Sequence, residues 1–324
     1  MIGTISLIVF GVVLVAVLGL WLFGERWRLM RRSSWLGLRE NGLWRVLNGQ
    51  AIHFYVYGRW TNQYLDVLIH RIFPRLDARS RQKWADHYHA KVLTHEQAEA
   101  IVQLDHDLNY PHAEQVIPYP IARDIVIKNP KAIAVYECAC RHAREDPCQP
   151  TQVCMIIGQP FVDFMLEHNP HSSRRLTQFE ALELLRAEHE RGHLHSAWFK
   201  DACLDRFYAI CNCCKCCCVG IEAMVKYGIS MLASSGYAAQ VDSDKCTICG
   251  ACIEACPFGA ISLNNTITID RGRCMGCGVC RSQCAFDAVA LVLAPDKGVP
   301  LDVRMLEELG GARAQIPPGH ATQN

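Results

Sequence analysis

Eight cysteines near the C-terminal end of the chain form two groups with the same spacing. The first group reads C-x2-C-x2-C-x3-C-P, with its cysteines at Cys246, Cys249, Cys252 and Cys256. The same cysteine spacing recurs 28 residues later at Cys274, Cys277, Cys280 and Cys284. A gapless overlay of residues 246–263 on 274–291 gives eight identities in 18 positions. The segment is therefore an internal duplication.

The spacing suits iron–sulfur chemistry. Three cysteines at every third position of a tight loop reach three irons of a 4Fe-4S cluster, and the fourth cysteine of each group binds the cluster of the other group. We therefore predict two clusters. The ligands of the first are Cys246, Cys249, Cys252 and Cys284. The ligands of the second are Cys274, Cys277, Cys280 and Cys256. Paired zinc sites and disulfides are the alternatives, but zinc motifs are usually well-separated C-x2-C pairs.

Over about 50 residues this segment resembles the bacterial two-cluster ferredoxins, which are small α+β modules. It departs from their pattern at Ala285, where a proline is expected after the last cysteine. Between the two halves, residues 260–269 alternate apolar and polar side chains about Asn264 and Asn265, which predicts a β-hairpin. Residues 288–293 are predicted to form a further short strand.

Most of the other cysteines lie in the middle of the chain and are predicted to bind metal. They are Cys138, Cys140, Cys148, Cys154, Cys211, Cys213, Cys214, Cys216, Cys217 and Cys218. Six cysteines within residues 211–218 cannot pair with one another as unstrained disulfides, because disulfide geometry is narrow. Iron–sulfur clusters, a zinc-bound scaffold and buried free thiols all remain open for this region. Cys203 stands apart from both blocks.

This middle region resembles ferredoxin-type iron–sulfur proteins of anaerobes, which carry a C-x-C-R motif and a CNCC-x-CC block before a two-cluster ferredoxin module. The matching residues are Cys138, Cys140, Arg141, Cys148, Cys154, Gly192, His195, Cys211, Asn212, Cys213, Cys214, Cys216 and Cys217. The resemblance covers about residues 115–293 and implies one or two further iron–sulfur clusters. Whether His195 is also a ligand stays open.

The elements that hold these cysteines are predicted to be mainly helical. Capping boxes at Thr94-x-x-Gln97 and Thr177-x-x-Glu180 each open an amphipathic helix, and Gly192 is placed to end the second one. A short apolar strand or helix at residues 132–136 leads into the first cysteines. The tail from Ala294 is rich in proline and is predicted to be a loose extension.

The N-terminal segment predicts a membrane anchor. Residues 2–23 contain no charge, and a helix of that length spans about 33 Å, enough for one hydrocarbon core. Positive charge follows at Arg26, Arg28, Arg31 and Arg32, so the positive-inside rule places the bulk of the chain on the cytoplasmic side. We therefore expect a single-pass protein of the bacterial inner membrane. A cleaved signal peptide is the alternative, but its basic region should precede the apolar run.

Residues 24–91 carry 13 Lys and Arg against 5 Asp and Glu, together with many aromatic residues. This mixture suits helices on an anionic membrane surface or, equally, a globular subdomain with a basic face. The expected domains are an anchor (1–24), a basic juxtamembrane region (25–92), a cysteine-rich domain (93–240), a ferredoxin domain (241–293) and a tail (294–324). The overall fold class is α+β.

The predicted function is single-electron transfer through 4Fe-4S clusters between a cytoplasmic redox enzyme and a membrane-associated partner. The expected partners are a redox protein or oxidoreductase complex and membrane lipid. Nucleic acid is not expected, because the net charge is only +1. The sequence contains no glycine-rich nucleotide fingerprint, so a carrier is favoured over an enzyme. An iron–sulfur reductase with a substrate-binding middle cluster and a thiol or cluster redox sensor are the alternatives.

Overall fold

The computed structural model describes residues 2–26, 29–111, 116–119 and 124–306. Within these ranges the helices are α1 (Ile2–Phe23), α2 (Arg32–Leu47), α3 (Gln50–Arg59), α4 (Thr61–Val67), α5 (Ala78–His87), α6 (His95–Gln103), α7 (Ala139–His142), α8 (Phe161–His168), α9 (Gln178–Glu190), α10 (Val219–Tyr227), α11 (Ala251–Ala255) and α12 (Val279–Ser282). The strands are β1 (Tyr88–Leu93), β2 (Leu108–Pro111), β3 (Asp124–Ile127), β4 (Ile133–Glu137), β5 (Gln152–Ile157), β6 (Ser173–Leu176), β7 (Leu194–Lys200), β8 (Arg206–Cys213), β9 (Leu232–Ala233), β10 (Tyr237–Val241), β11 (Ile261–Asn264), β12 (Thr266–Ile269) and β13 (Val289–Leu293).

A seven-stranded mixed sheet in the order β6-β4-β5-β8-β7-β1-β9 organises the middle of the chain. Its strands pair antiparallel except for β1 and β9, which run parallel. The central strands are buried on both faces, so their sequences do not alternate regularly between apolar and polar residues. The overall α+β class agrees with this architecture.

The sheet separates two hydrophobic cores. Tyr136, Cys154 and Cys213 contribute to one core, which also contains buried residues of α3, α4 and α8 and of the C-terminal cysteine segment. Val135 and Met155, their neighbours along the strands, contribute to the other core, which contains α6 and α9. Because successive side chains of a strand point to opposite faces, the sheet presents its cysteines on one side only.

The prediction of a mainly helical cysteine-rich domain is wrong, because the sheet carries much of residues 93–240. The two predicted helices are nevertheless present as α6 and α9, and each opens with the predicted capping box. Gly192 follows α9 with a φ of +79°, as a helix-ending glycine requires. Residues 133–137 form a strand, β4.

The apolar N-terminal segment forms the helix α1, but the prediction of a transmembrane helix is wrong. Within the described residues, no helix is both long and apolar enough to cross a bilayer. The predicted single-pass location in a bacterial inner membrane, with the bulk of the chain on the cytoplasmic side, depended on this helix and is wrong for the same reason.

The basic, aromatic region packs against the sheet. Phe54, Tyr57, Leu65 and Leu68 are buried in the core that also contains the sheet cysteines. A kink at Gly42, where φ is +72°, divides α2. Of the two readings of this region, these packed residues favour the globular subdomain.

The C-terminal module contains two small antiparallel pairs, β10 with β13 and β11 with β12. The second pair is the predicted hairpin, with Asn265 in the left-handed conformation at its turn. The prediction of a loose tail fails for residues 294–306, because Leu301, Val303 and Leu306 are buried in the second core. Residues 307–324, which belong to the same prediction, lie outside the described residues.

Candidate iron–sulfur and metal centres

The first half of the C-terminal module places four cysteines around one cavity. They are Cys246, Cys249, Cys252 and Cys284. Two of them lie in the loop that leads into α11 and Cys252 lies in its first turn, after Gly250 turns the chain with a φ of +80°. The fourth follows α12, in the other half. This is the set that the spacing predicts for the first cluster, and its role as ligands remains a prediction.

The second half forms an equivalent cavity. Its cysteines are Cys274, Cys277, Cys280 and Cys256. Gly278 precedes α12 with a φ of +81°, nearly the same as Gly250 before α11. Each cavity therefore takes three cysteines from its own loop and one from the other half, as the duplicated sequence predicts.

Backbone N–H groups point at the cysteine sulfurs in equivalent positions of the two halves. The N–H of Ala260 donates to Cys256 Sγ at 3.3 Å, and the N–H of Ala288 donates to Cys284 Sγ at 3.4 Å. The Ala239 N–H also donates to Cys274 Sγ at 3.4 Å. Such donors stabilise negative charge on the thiolates that bind a cluster, so both cavities fit a 4Fe-4S group.

Burial makes these thiols poor acids while no metal is bound. It raises the pKa of Cys280 to about 12 and raises the pKa of Cys277 further. Burial also raises the pKa of Cys252. Ionising such thiols at neutral pH requires a nearby positive charge, which iron ions supply.

The middle cysteines line a third cavity, named here the sheet cavity, on one face of the sheet. The eight that line it are Cys138, Cys140, Cys154, Cys211, Cys213, Cys214, Cys217 and Cys218. Three lie on the central strands: Cys154 on β5, and Cys211 and Cys213 two residues apart on β8. Cys138 and Cys218 precede α7 and α10. The sheet thus joins two cysteine blocks that lie about 60 residues apart in sequence.

The thiols in this cavity are close enough to share protons. Hydrogen bonds from the Cys140 and Cys154 thiols lower the pKa of Cys138, and the same bonds raise the pKa of each donor. A second pair joins Cys213 and Cys218, and Ser196 Oγ lies 3.4 Å from Cys213 Sγ. Buried thiols that compete for one proton are a donor set suited to positively charged metal.

Four cysteines form a separate, compact group, named here the quartet: Cys148, Cys214, Cys216 and Cys217. Their sulfurs all lie within 4.8 Å of one another. Cys148 Sγ and Cys216 Sγ are 2.7 Å apart, and both residues are accessible, whereas Cys214 and Cys217 are buried. Cys214 and Cys217 therefore belong to the quartet and also line the sheet cavity.

Arg141 places a buried positive charge beside these thiols. Its guanidinium donates to Glu188 Oε2 at 3.0 Å, to the Asn212 carbonyl at 3.3 Å and to the Pro150 carbonyl. Although burial opposes it, attraction by the Cys214 thiolate and by Glu188 raises the pKa of Arg141. This side chain therefore stays charged and offsets thiolate charge from within the core.

His195 and Cys203 do not line the sheet cavity. The Nδ1 of His195 lies 2.6 Å from Asn212 Oδ1, and its Nε2 lies 3.2 Å from His95 Nδ1. The Asn212 amide nitrogen donates to a carbonyl, so its oxygen accepts from His195. Burial lowers the pKa of His195 to about 3, which keeps the ring neutral. Cys203 lies beside Lys200 and Asp201, and burial raises its pKa.

Sequence reasoning missed the side chains that support the cysteines. Glu188, which pairs with Arg141, lies at the end of α9 and is fully buried. Arg144 binds Glu222 at 2.6 Å and donates to the Cys217 carbonyl. One signal in the sequence could have distinguished Asn212 from the neighbouring thiols. Because side chains of a strand alternate between its faces, Cys211 and Cys213 lie on one face and Asn212 on the other.

Comparison with known proteins identifies one part of the chain. Residues 239–262 match the 4Fe-4S binding domain family, and this match includes the first cysteine group. No curated protein matches the chain. The chain therefore contains a 4Fe-4S binding domain at residues 239–262, accompanied by a cysteine-rich region.

Proposed function

We propose that this chain is an electron-transfer protein that holds two 4Fe-4S clusters in its C-terminal module and a third cluster in the sheet cavity. The observation that carries the proposal is the pair of four-cysteine cavities, each completed by one cysteine from the other half. Clusters of this type supply reversible one-electron chemistry when bound.

The residues around the first two cavities have distinct tasks in this proposal. The four thiolates of each set would hold the irons. Cys252 and Cys280 would do so from the first turns of α11 and α12. The N–H groups of Ala260 and Ala288 stabilise the negative charge of the thiolates, which is one of the ways in which a protein adjusts a reduction potential.

The first site is proposed to exchange electrons with a redox protein or an oxidoreductase complex. Cys249 is exposed, whereas Cys274, Cys277 and Cys280 of the second site are buried. Around the first site, Phe286 is about half exposed, and so is Leu263. An exposed apolar patch beside an accessible ligand set suits transient docking of a partner.

Two features support electron passage between the sheet cavity and the C-terminal module. Cys213 and Cys218 of the cavity share one continuous buried core with Cys252 and Cys256 of the module. Lys215, in the quartet loop, donates to the Glu254 carbonyl on α11 at 3.0 Å. The two cysteine regions are therefore packed as neighbours, which favours a relay over independent sites.

The reductase alternative is less well supported. A substrate-binding cluster needs a path for substrate, yet Cys138, Cys154, Cys213 and Cys218 of the sheet cavity are all buried. The sensor alternative needs accessible thiols, and among the middle cysteines the exposed one, Cys216, belongs to the quartet. Neither observation gives the sheet cavity a role other than holding a redox group.

Single-turnover electron delivery tests this proposal. The protein is reduced under argon, freed of reductant and mixed with an oxidised c-type cytochrome as a general acceptor. We expect about three one-electron equivalents per chain, one from each cluster. The variant Cys252→Ala with Cys280→Ala should lose most of this delivery, whereas the control Cys203→Ser should keep it. An iron-loaded protein that delivers no electrons would contradict the carrier function.

A further inference from the structure

The quartet differs from the other cysteine sets in how tightly its sulfurs are gathered. All four sulfur atoms lie within 4.8 Å of one another. A tetrahedral zinc ion with Zn–S bonds of about 2.3 Å sets its four sulfurs roughly 3.8 Å apart. The thiolates of a cubane cluster bind four different irons at separate corners, so they must lie further apart than thiolates that share one ion.

The same structure provides the comparison. Among the described residues, the groups of three or more potential ligands whose binding atoms all lie within 4.8 Å are the quartet and the trio His95, His189 and His195. Neither four-cysteine set of the C-terminal module is gathered this tightly, although all eight of its cysteines are described. The sets that suit cubanes and the quartet therefore have different geometries within one chain.

The surroundings of the quartet suit a charged tetrathiolate centre. Four thiolates around a divalent ion carry a net charge of −2, and two arginines lie close by. Arg144 donates to the Cys217 carbonyl at 3.0 Å and 3.2 Å, and Arg141 donates to the carbonyl of Asn212, two residues before Cys214, at 3.3 Å. Cys148 comes from the loop after α7, whereas the other three come from the loop between β8 and α10. One ion would therefore tie the two loops together.

A disulfide does not account for the group. The distance of 2.7 Å between Cys148 Sγ and Cys216 Sγ exceeds an S–S bond of about 2.05 Å, and both cysteines are free. A disulfide would also involve only two of the four gathered sulfurs, whereas Cys214 and Cys217 lie within 4.8 Å of the same pair. A site with four protein ligands and no open position is typical of structural zinc.

We propose that Cys148, Cys214, Cys216 and Cys217 bind a single Zn²⁺ ion in a closed tetrathiolate site, beside the iron–sulfur centres and distinct from them. The ion fastens the loop after α7 to the loop before α10. It takes no part in electron transfer, because Zn²⁺ has no redox chemistry in proteins.

Metal analysis of two variants tests the proposal. Cys148→Ser and Cys216→Ser replace the accessible members, and Cys203→Ser is the control because that cysteine lies outside every set. In each quartet variant, zinc should fall from about one per chain to near zero while iron and acid-labile sulfide stay unchanged. The control should keep all three. A loss of about four irons with unchanged zinc would overturn the proposal, as would no change in any metal.

X-ray absorption of the wild-type protein provides a test that does not depend on the variants folding. At the zinc edge we expect four sulfur neighbours at about 2.3 Å. Nitrogen or oxygen neighbours in place of sulfur, or the absence of zinc, would overturn the assignment. Iron content measured on the same sample reports separately on the proposed electron-transfer function.

Discussion

The C-terminal module and the domain built on the seven-stranded sheet, named here the sheet domain, both bring cysteines together, but they do so by different means. In the module, three of the four cysteines around each cavity come from one short loop, and a single cysteine crosses from the other half. In the sheet domain, strands β5 and β8 and the starts of α7 and α10 bring the cysteines together. Local sequence therefore specifies the first arrangement, whereas tertiary packing specifies the second.

The two regions also differ in how they accommodate thiolate charge. In the module, backbone N–H groups at Ala260 and Ala288 point at sulfurs and repeat with the duplication. In the sheet domain, the buried guanidinium of Arg141 offsets the negative charge of thiolates, and the thiols also form hydrogen bonds with one another. A backbone-based site tolerates side-chain changes, whereas a side-chain-based site depends on individual residues.

The largest expected effect is a selective loss of iron. Cys252→Ala combined with Cys280→Ala should remove about eight irons per chain and leave the sheet cavity loaded. Cys154→Ala combined with Cys213→Ala should remove about four and leave the module loaded. Iron and sulfide analysis of purified protein measures both losses. If either double variant loses iron from both the module and the sheet cavity, the two regions do not bind their clusters independently. That result would contradict the comparison.

The next largest effect concerns the buried ion pair. Arg141→Met removes one partner of the buried Glu188, which keeps Arg191 at 2.8 Å and His193 at 2.7 Å, and it leaves the Pro150 and Asn212 carbonyls without this donor. We expect a loss of stability of about 3 kcal/mol, because each buried acceptor left unpaired costs about 1–3 kcal/mol. Arg174→Met removes an exposed pair with Glu180 and should cost less than about 1 kcal/mol. Thermal unfolding followed by circular dichroism compares the two. Equal shifts in the midpoint would mean that the sheet domain does not depend on this arginine.

A smaller effect is expected where the two halves of the module differ. At Gly276, with φ +64°, an added Cβ would lie 2.2 Å from the Tyr237 carbonyl oxygen, whereas the equivalent position of the first half holds Ile248. Gly276→Ala should therefore lower stability by more than about 2 kcal/mol. Gly250→Ala, which meets open space, should cost only the left-handed conformation, about 1 kcal/mol. Equal losses of stability would show that the Tyr237 carbonyl does not constrain residue 276.

The smallest effect is expected between the two regions. Arg281 of α12 pairs with Glu96 of α6 at 3.1 Å, and both side chains are about half exposed. Arg281→Ala should change the unfolding free energy by no more than about 1 kcal/mol, because solvent screens such pairs. Iron content should stay unchanged. A large loss of stability would mean that this surface contact, and not the shared core, holds the two regions together.

The sequence predicted the parts of the molecule that local rules govern. The cysteine grouping in the module, the hairpin about Asn265 and the capping boxes at Thr94 and Thr177 all follow from short-range spacing. Strands β5, β7 and β8 could not be recognised in the same way. They are buried on both faces, so they lack the alternation that marks a half-buried strand.

The division of the middle cysteines could not be predicted either. Cys214, Cys216 and Cys217 lie beside Cys213 and Cys218 in sequence, yet the chain reversal after β8 assigns them to the quartet. Cys148 joins them from a loop more than 60 residues away. The N-terminal prediction is wrong as well, because no helix among the described residues is long and apolar enough to cross a bilayer.

The metal and sulfide content of the anaerobically purified wild-type chain tests the central claim most directly. Three clusters and one separate ion predict about 12 irons, about 12 acid-labile sulfides and about one zinc per chain. About eight irons and eight sulfides would contradict the claim that the sheet cavity holds a cluster. Zinc without any iron would contradict the account as a whole.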